Sequence, residues 1–466
     1  MPGTHSMSLH GSGRILVECT YVFAQPWVQS GIQRVVRNIA LNIRGITADR
    51  QPDLVALAEG RVFLINRLLP GGKIGISKAA RLFSWLSRAR AAVRRKLADR
   101  VEADGSNFGP IRCLFLKTIM FIVSVSIFIL GGVGLDPFRR RATPSHILDV
   151  DTLLLLDSSW HDPVLFQQLA DLKKRGTRII SVVYDLIPIQ HPQYCEKNLV
   201  CVFDAWFSQM TQMADGFICI SRWVCEKVKG EVRVRLGEDQ MQTKSYRWFH
   251  LGTELDLKRT GENAHTVRFE GCFGSEFSTF LVVGTIEPRK NHKLILDALD
   301  THWAKGGSSK LCIIGRAGWM CEEITLRIRE HPQQGKKLFC FDDASDDDLE
   351  FAYQNAGALI LGSFVEGFGL PLVEALQRGL PVIASDIPVF REVAGSFAEY
   401  FDPHSASDLC AIIDQFNVTK HLPNARPVTE WKWITWKESA QQLFDAVDQC
   451  CRELDERRSL SNENKH

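Results

Sequence analysis

The sequence predicts an α/β protein built from two doubly wound parallel sheets, joined by a linker and closed by a returning helix. Three observations predict it. Short apolar runs alternate with amphipathic stretches along most of the 466 residues, the pattern of strands covered by helices. Glycines follow several of those runs, at the strand ends where parallel sheets bind ligands. The length suits two domains, and an apolar share of 45% is enough for two cores.

The first strand is expected over residues 15–19, with a loop through Trp27 and Gly31 and a helix over 32–43. Further strands are expected near 54–58 and at 153–156, 178–183 and 216–220, and the segment 246–252 closes this half. Residues 258–273 are polar and glycine-bearing, as a hinge requires. In the second half Phe280-Leu281-Val282-Val283 runs into Gly284-Thr285-Ile286-Glu287-Pro288-Arg289-Lys290-Asn291, followed by a helical pattern through Leu294, Leu296 and Leu299. Leu311-Cys312-Ile313-Ile314 leads to Gly315-Arg316-Ala317-Gly318-Trp319, and 337–341 leads to an acidic loop. Strands at 358–361 and 380–384 complete the series, and a helix over 431–454 returns to the first half. The charged end, 455–466, is expected to fray. The domains are therefore 1–258, a linker at 259–273, 274–430, and a C-terminal helix and tail at 431–466.

One segment does not belong to a doubly wound domain, an insertion at about 72–143. Its first part interleaves Lys78, Arg81, Arg88, Arg94 and Arg95 with Phe83, Trp85, Leu86 and Leu97, an apolar stripe beside a basic face as on a membrane-surface helix. Its second part, 119–135, carries no charge and is at the short end of a membrane span. A single crossing would separate strands that must share one sheet, so a monotopic or re-entrant insert at the cytoplasmic face is expected. A buried core helix is the simpler alternative.

The formal charge of +2 argues against nucleic acid as a partner. Thirteen cysteines lack zinc-like spacing, so reduced thiols and no metal site are expected. No cleavable leader is expected before the first strand.

The stretch Phe364-Val365-Glu366-Gly367-Phe368-Gly369-Leu370-Pro371-Leu372-Val373-Glu374 carries the most chemistry. Gly367 and Gly369 allow close backbone approach, and Pro371 favours a helix start whose free N–H groups attract an anion. Glu366 and Glu374 bracket that loop. A diphosphate with a sugar at each end satisfies all of these groups, whereas an ordinary strand–turn–helix with acidic surface residues is the bland alternative.

These pieces, together with Ala384-Ser385-Asp386-Ile387-Pro388, resemble the family 4 glycosyltransferases over about residues 280–403. Within that family the chain is most similar to enzymes that mannosylate or otherwise extend bacterial surface polysaccharides. The resemblance implies the GT-B architecture, two Rossmann-like domains facing a cleft, and a retaining transfer from a nucleotide-sugar without a metal or other cofactor. It implies that Lys290 binds phosphate, with Arg289 replacing a basic residue that relatives place at the position of Thr285. Glu366 is implied to meet donor-sugar hydroxyls, Glu374 the ribose, and the backbone of Gly367, Phe368, Gly369 and Leu370 the distal phosphate. Gly284 and Gly315 mark the strand ends of the donor site, and Ser30-Gly31-Ile32 resembles the family's first glycine loop. Val183-Tyr184-Asp185-Leu186-Ile187-Pro188 resembles a motif that often has histidine where Tyr184 stands. Asp185 is then a polar contact to acceptor or sugar, or simply a turn-capping aspartate. The implied partners are a nucleotide-sugar donor, a lipid-linked saccharide acceptor and a membrane surface. A non-catalytic scaffold of the same fold, or a nucleotide-sugar epimerase, are the competing readings.

Overall fold

The computed structural model describes residues 13–26, 28, 30–43, 46, 52–58, 61–66, 68, 142–145, 151–160, 164–253, 268–269, 271–274 and 278–463. The chain divides into two compact units, Met1–Ile180 and Ser181–His466.

In the first unit five strands lie in the order β4-β3-β2-β1-β5. They are β1 (Ile15–Glu18), β2 (Asp53–Ala58), β3 (Arg61–Ile65), β4 (Ala142–Ser145) and β5 (Thr152–Leu155). β1 pairs in parallel with β2 and β5, whereas β2–β3 and β3–β4 are antiparallel. β1 and β5 are buried along their whole length, as expected of strands covered on both faces. The antiparallel edge was not anticipated, because β4 reads Ala-Thr-Pro-Ser and has no strand signal. Its proline fits an edge strand.

Ile65 and Ala142 are paired residues of that edge, so the chain leaves and re-enters the sheet at one place. The amphipathic and apolar parts of the expected insertion, through residue 141, lie outside the described residues. Among the described residues, no helix is long and apolar enough to cross a membrane.

Strand β6 (Arg178–Val183) carries the chain into the second unit, where the order β6-β7-β8 continues with β7 (Gly216–Cys219) and β8 (Ser245–Trp248). The helix Arg222–Leu236 follows β7. Its Ser221 cap accepts from Val224 N–H, and the Glu392 carboxylate accepts from the N–H groups of Arg222 and Trp223 at 2.7 and 2.8 Å. A negative charge at a helix start is stabilising.

The six-stranded sheet has the order β11-β10-β9-β12-β13-β14, and all its pairings are parallel. Its strands are β9 (Thr279–Val283), β10 (Lys310–Ile314), β11 (Leu338–Phe341), β12 (Ala358–Leu361), β13 (Val382–Ser385) and β14 (Ala398–Phe401). This is the doubly wound order in which the chain reverses direction across the sheet after its third strand. The reversal falls between β9 and β12. Phe280, Val282, Leu296, Ile313, Ile360 and Phe416 belong to the buried core that holds the helices to it.

Part of the expected hinge packs instead. Phe269 and Cys272 are buried, and Phe269 meets Phe341 edge-on at 4.7 Å. The last helix runs Trp436–Glu463, beginning later and ending later than expected. The expected fraying is corrected in part, since residues 455–463 are helical. Arg457 secures that turn by donating to the carbonyl of Lys244 at 3.2 Å and pairing with Glu453. The helix packs against β7 and β8. Ser439 and Trp433 donate to the carbonyls of His250 and Leu251 at 2.7 Å each.

Candidate active site at the reversal of the second sheet

The loops after β9 and β12, the strands flanking the reversal, meet in one charged cluster. Residues 288–290 form a single 3-10 turn, which aims Arg289 and Lys290 at the loop after β12. Lys290 Nζ lies 2.5 Å from Glu366 Oε1, and an Arg289 guanidinium nitrogen lies 2.7 Å from Glu366 Oε2. Ser363 Oγ donates to Glu366 Oε1 at 2.8 Å. Arg289 Nε also reaches Glu287 Oε1 at 2.6 Å. The backbone fastens the two loops together, since Phe364 N–H donates to the Arg289 carbonyl at 2.8 Å.

Glu366 is buried. Burial pushes its pKa up, but Arg289 and Lys290 outweigh that and hold it at about 2. Burial raises the pKa of Glu287, against the pull of Arg289 and Lys290. The Arg289 guanidinium is stabilised as a cation by Glu366, Glu287 and Asp185 despite its own burial. Burial likewise raises Asp185, and the charge of Arg289 opposes it. Asp185 Oδ1 accepts from Ile187 N–H at 3.0 Å, so it caps a turn and also faces the cluster electrostatically.

Glycine is required at two kinds of position here. A Cβ on Gly315 would stand 1.8 Å from the Gly284 carbonyl oxygen, and one on Gly367 would stand 2.3 Å from that of Tyr184. Gly369 has φ +102° at the start of the helix Leu370–Gln377, a conformation costly for any side chain. The N–H groups of Gly367, Phe368, Gly369 and Leu370 find no acceptor among the described residues. Four unpaired donors at a helix start form an anion-binding cradle.

Glu374 is buried on that helix and accepts from the Tyr353 hydroxyl at 2.8 Å. Phe368 is buried, with its ring 6.1 Å from that of His250. Gly31 opens the helix Gly31–Asn42 in the first unit, where a Cβ would meet nothing within 4 Å. The structure thus brings together Asp185, Arg289, Lys290 and Glu366, with Gly284, Gly315 and the 367–370 loop at adjoining strand ends. The sequence reading missed Glu287 and Ser363, each of which bonds a cluster member. The strand-end position of Glu287, two residues before Arg289, was the available signal. Among the described residues no group of three or more His, Cys, Asp or Glu is placed to hold a metal ion.

Loss of the Glu366 charge has a defined consequence. Its pKa is lower in the folded chain than the ordinary 4.5, so ionised Glu366 favours folding above that pH, and the contribution is lost as pH falls toward 2. Glu366→Gln is expected to cost about 3 kcal/mol at pH 7, the low end for breaking a buried pair, because Glu287 still faces Arg289. Chemical denaturation at pH 7 and at acid pH checks this. The gap from the wild type should narrow below about pH 4.5, and a gap independent of pH would contradict the assignment.

Comparison with known proteins bears on the family and the fold. Residues 266–425 match the family described as glycosyl transferases group 1. The serotype-specific mannosyltransferase WbdA of Escherichia coli is 37% identical over 301 residues, covering 63% of this chain and 36% of the relative. The O-antigen chain mannosyltransferase RfbU of Salmonella typhimurium is 33% identical over 129 residues, 27% of this chain and 34% of that one. The chain therefore spans about a third of the length of these curated relatives. Among solved structures, HepE of Anabaena, in complex with UDP and glucose, superposes with a TM-score of 0.54 at 12% identity, covering 94% of this chain and 99% of that one. Sucrose-phosphate synthase of Thermosynechococcus elongatus does so at 0.51 and 15%, covering 97% and 100%. At such identities the likeness concerns the fold. Residues 266–425 are thus similar to the glycosyl transferases group 1 family, and the chain has the two-sheet GT-B fold.

Proposed function

We propose that the chain is a retaining, nucleotide-sugar-dependent hexosyltransferase that extends a lipid-linked or polysaccharide acceptor in cell-surface glycan synthesis. Mannose is the first candidate sugar, given the names of its curated relatives. The observation that carries the reading is the Arg289–Lys290–Glu366 cluster beside four unpaired N–H groups, at the sheet reversal where doubly wound proteins bind nucleotides.

The chemistry follows from the groups present. Glycosyl transfer builds negative charge on the departing diphosphate, and fixed donors aimed at that charge lower the barrier. Arg289 offers a fork and Lys290 a point charge, while the 367–370 backbone holds the distal phosphate. These supply the positive charge without a metal. Glu366, kept ionised, accepts from donor-sugar hydroxyls, and Glu374 accepts from the ribose. Asp185 orients a hydroxyl of sugar or acceptor. Residues 274–430 form the donor-binding domain, and residues 1–258 contribute to binding the acceptor.

Its site of action in this reading is the cytoplasmic face of the membrane, with the chain peripheral or monotopic. The pairing of Ile65 with Ala142 supports this, because both ends of the segment between them then lie on one side of any bilayer.

The deciding experiment supplies a panel of nucleotide-sugars with total membrane lipids and identifies products by mass. GDP-mannose is expected to yield a lipid-linked product one hexose heavier, at a rate unchanged by EDTA. Failure of every donor with folded protein overturns the reading. Glu374→Gln, which keeps an acceptor for Tyr353, is expected to raise KM for the donor about tenfold with little change in kcat, as for lost ground-state binding. Steady-state kinetics in the donor check it.

A further inference from the structure

A cavity of about 320 Å³ opens beside the cluster. It has room for roughly ten waters at about 30 Å³ each, the volume of a ligand of about a dozen heavy atoms. Its lining includes Tyr194, Glu287, His292, Glu323, Arg327 and Phe364.

Two of these groups are built for a ligand. His292 is 4% exposed, and among the described residues neither ring nitrogen has a hydrogen-bond partner. Glu287 is 2% exposed; one oxygen engages Arg289, and the other, Oε2, has no partner among the described residues. Buried polar atoms are almost always bonded in proteins, and unbonded ones require an explanation. Burial and the charge of Lys290 hold the His292 pKa down at about 4. The imidazole is then neutral at pH 7, with one donor and one acceptor. A hydroxyl, itself donor and acceptor, complements such a ring, and Glu287 accepts a second hydroxyl proton.

The remaining lining rejects an anion. Arg327 is already committed to Asp297 and Asp300, at 2.6 and 2.7 Å, and the carboxylates of Glu287 and Glu323 outnumber the one remaining cation of the lining, Lys293. Tyr194 and Phe364 stack at 5.5 Å with an interplanar angle of 1°, flanked by the rings of His191 and His404. That column makes a stiff apolar wall. A few placed polar groups opposite such a wall are the makings of a small-molecule site, and the combination suits a ring that is apolar on its faces and hydroxylated at its edge.

We propose that this cavity is a neutral-saccharide subsite that holds the terminal hexose of the acceptor glycan, positioned by His292 and Glu287 against the wall of Tyr194 and Phe364. Through Glu287 it shares a carboxylate with the reaction cluster, so an acceptor seated there lies beside the transferring centre. The word acceptor rests on the transferase reading; saccharide binding does not.

The probe is an α-linked mannotrioside, titrated calorimetrically into the full chain with GDP present. His292→Phe removes both polar nitrogens while keeping an aromatic ring, and it should fold because no buried partner is orphaned. Tyr194→Ala, at the half-buried rim, is the second variant. Both are expected to weaken trioside binding by at least about tenfold, with GDP affinity unchanged within about twofold. Wild-type protein that binds no trioside, or variants that bind it as the wild type does, overturns the proposal. So does displacement of the trioside by inorganic phosphate, which would mark an anion site. Loss of GDP binding and of donor turnover in the wild type would instead count against the transferase reading, and the trioside titration would still report on the cavity.

Discussion

Replacing Lys290 with alanine is expected to reduce kcat/KM for the nucleotide-sugar by about 10² to 10³, the range for removing one fixed donor from a developing oxyanion. Lys290 Nζ is held 2.5 Å from Glu366, with its side chain only 12% exposed, so a phosphate arriving there meets a charge already positioned. Preorganisation of this kind avoids reorienting solvent during the reaction. The stability loss should be smaller than for Glu366→Gln, because Glu366 keeps Arg289 and Ser363 as partners. Initial rates with saturating acceptor, set beside melting temperatures, separate the two effects. Transfer that survives within about threefold in a folded variant would remove Lys290 from the chemistry and return the non-catalytic scaffold to contention.

The second large effect concerns folding. Gly315→Ala puts a methyl group 1.8 Å from the carbonyl oxygen of Gly284 and 2.7 Å from its carbonyl carbon. Both obstacles are backbone, so no side chain can swing aside. The ends of β9 and β10 are also tied by a hydrogen bond from Gly284 N–H to the Ile314 carbonyl at 3.0 Å. Relief therefore requires parting two central strands where the site is built. The cost is expected at or above the upper end of the 1–3 kcal/mol usual for overpacking, seen as a lower melting temperature and poor soluble yield. Gly230→Ala is the control. Gly230 lies inside the helix Arg222–Leu236 with nothing within 4 Å of an added Cβ, so alanine there should be neutral or stabilising by up to about 1 kcal/mol. If the two variants melt alike, close approach at Gly315 is not what holds the strand ends.

The two substitutions test different layers of one arrangement. Gly315 belongs to the scaffold that lets adjacent strand ends come together; Lys290 belongs to what those ends present. Asp185 touches both, capping a turn through Ile187 N–H and biasing Arg289 by its charge.

Much was legible along the chain because it depends on neighbours in sequence. The strand β9 was read from Phe280-Leu281-Val282-Val283, and the helix start after Gly369 from Pro371 and the glycines before it, since burial runs and backbone permissiveness are local properties. The strand-end positions of Gly284, Gly315 and Glu366 followed from the same reading. What the sequence by itself determined was thus the series of elements and the residue types offered at their carboxyl ends. Tertiary structure decided which of those ends meet. Lys290 and Glu366 are 76 residues apart and touch only because β12 pairs with β9, a choice that no periodicity encodes. The antiparallel edge β3–β4, the helical continuation past residue 455, the capping of Arg222 and Trp223 by Glu392, and the unpartnered nitrogens of His292 share that character. Each depends on the packing and charge of groups distant in sequence, whose energies exist only once the sheets have formed.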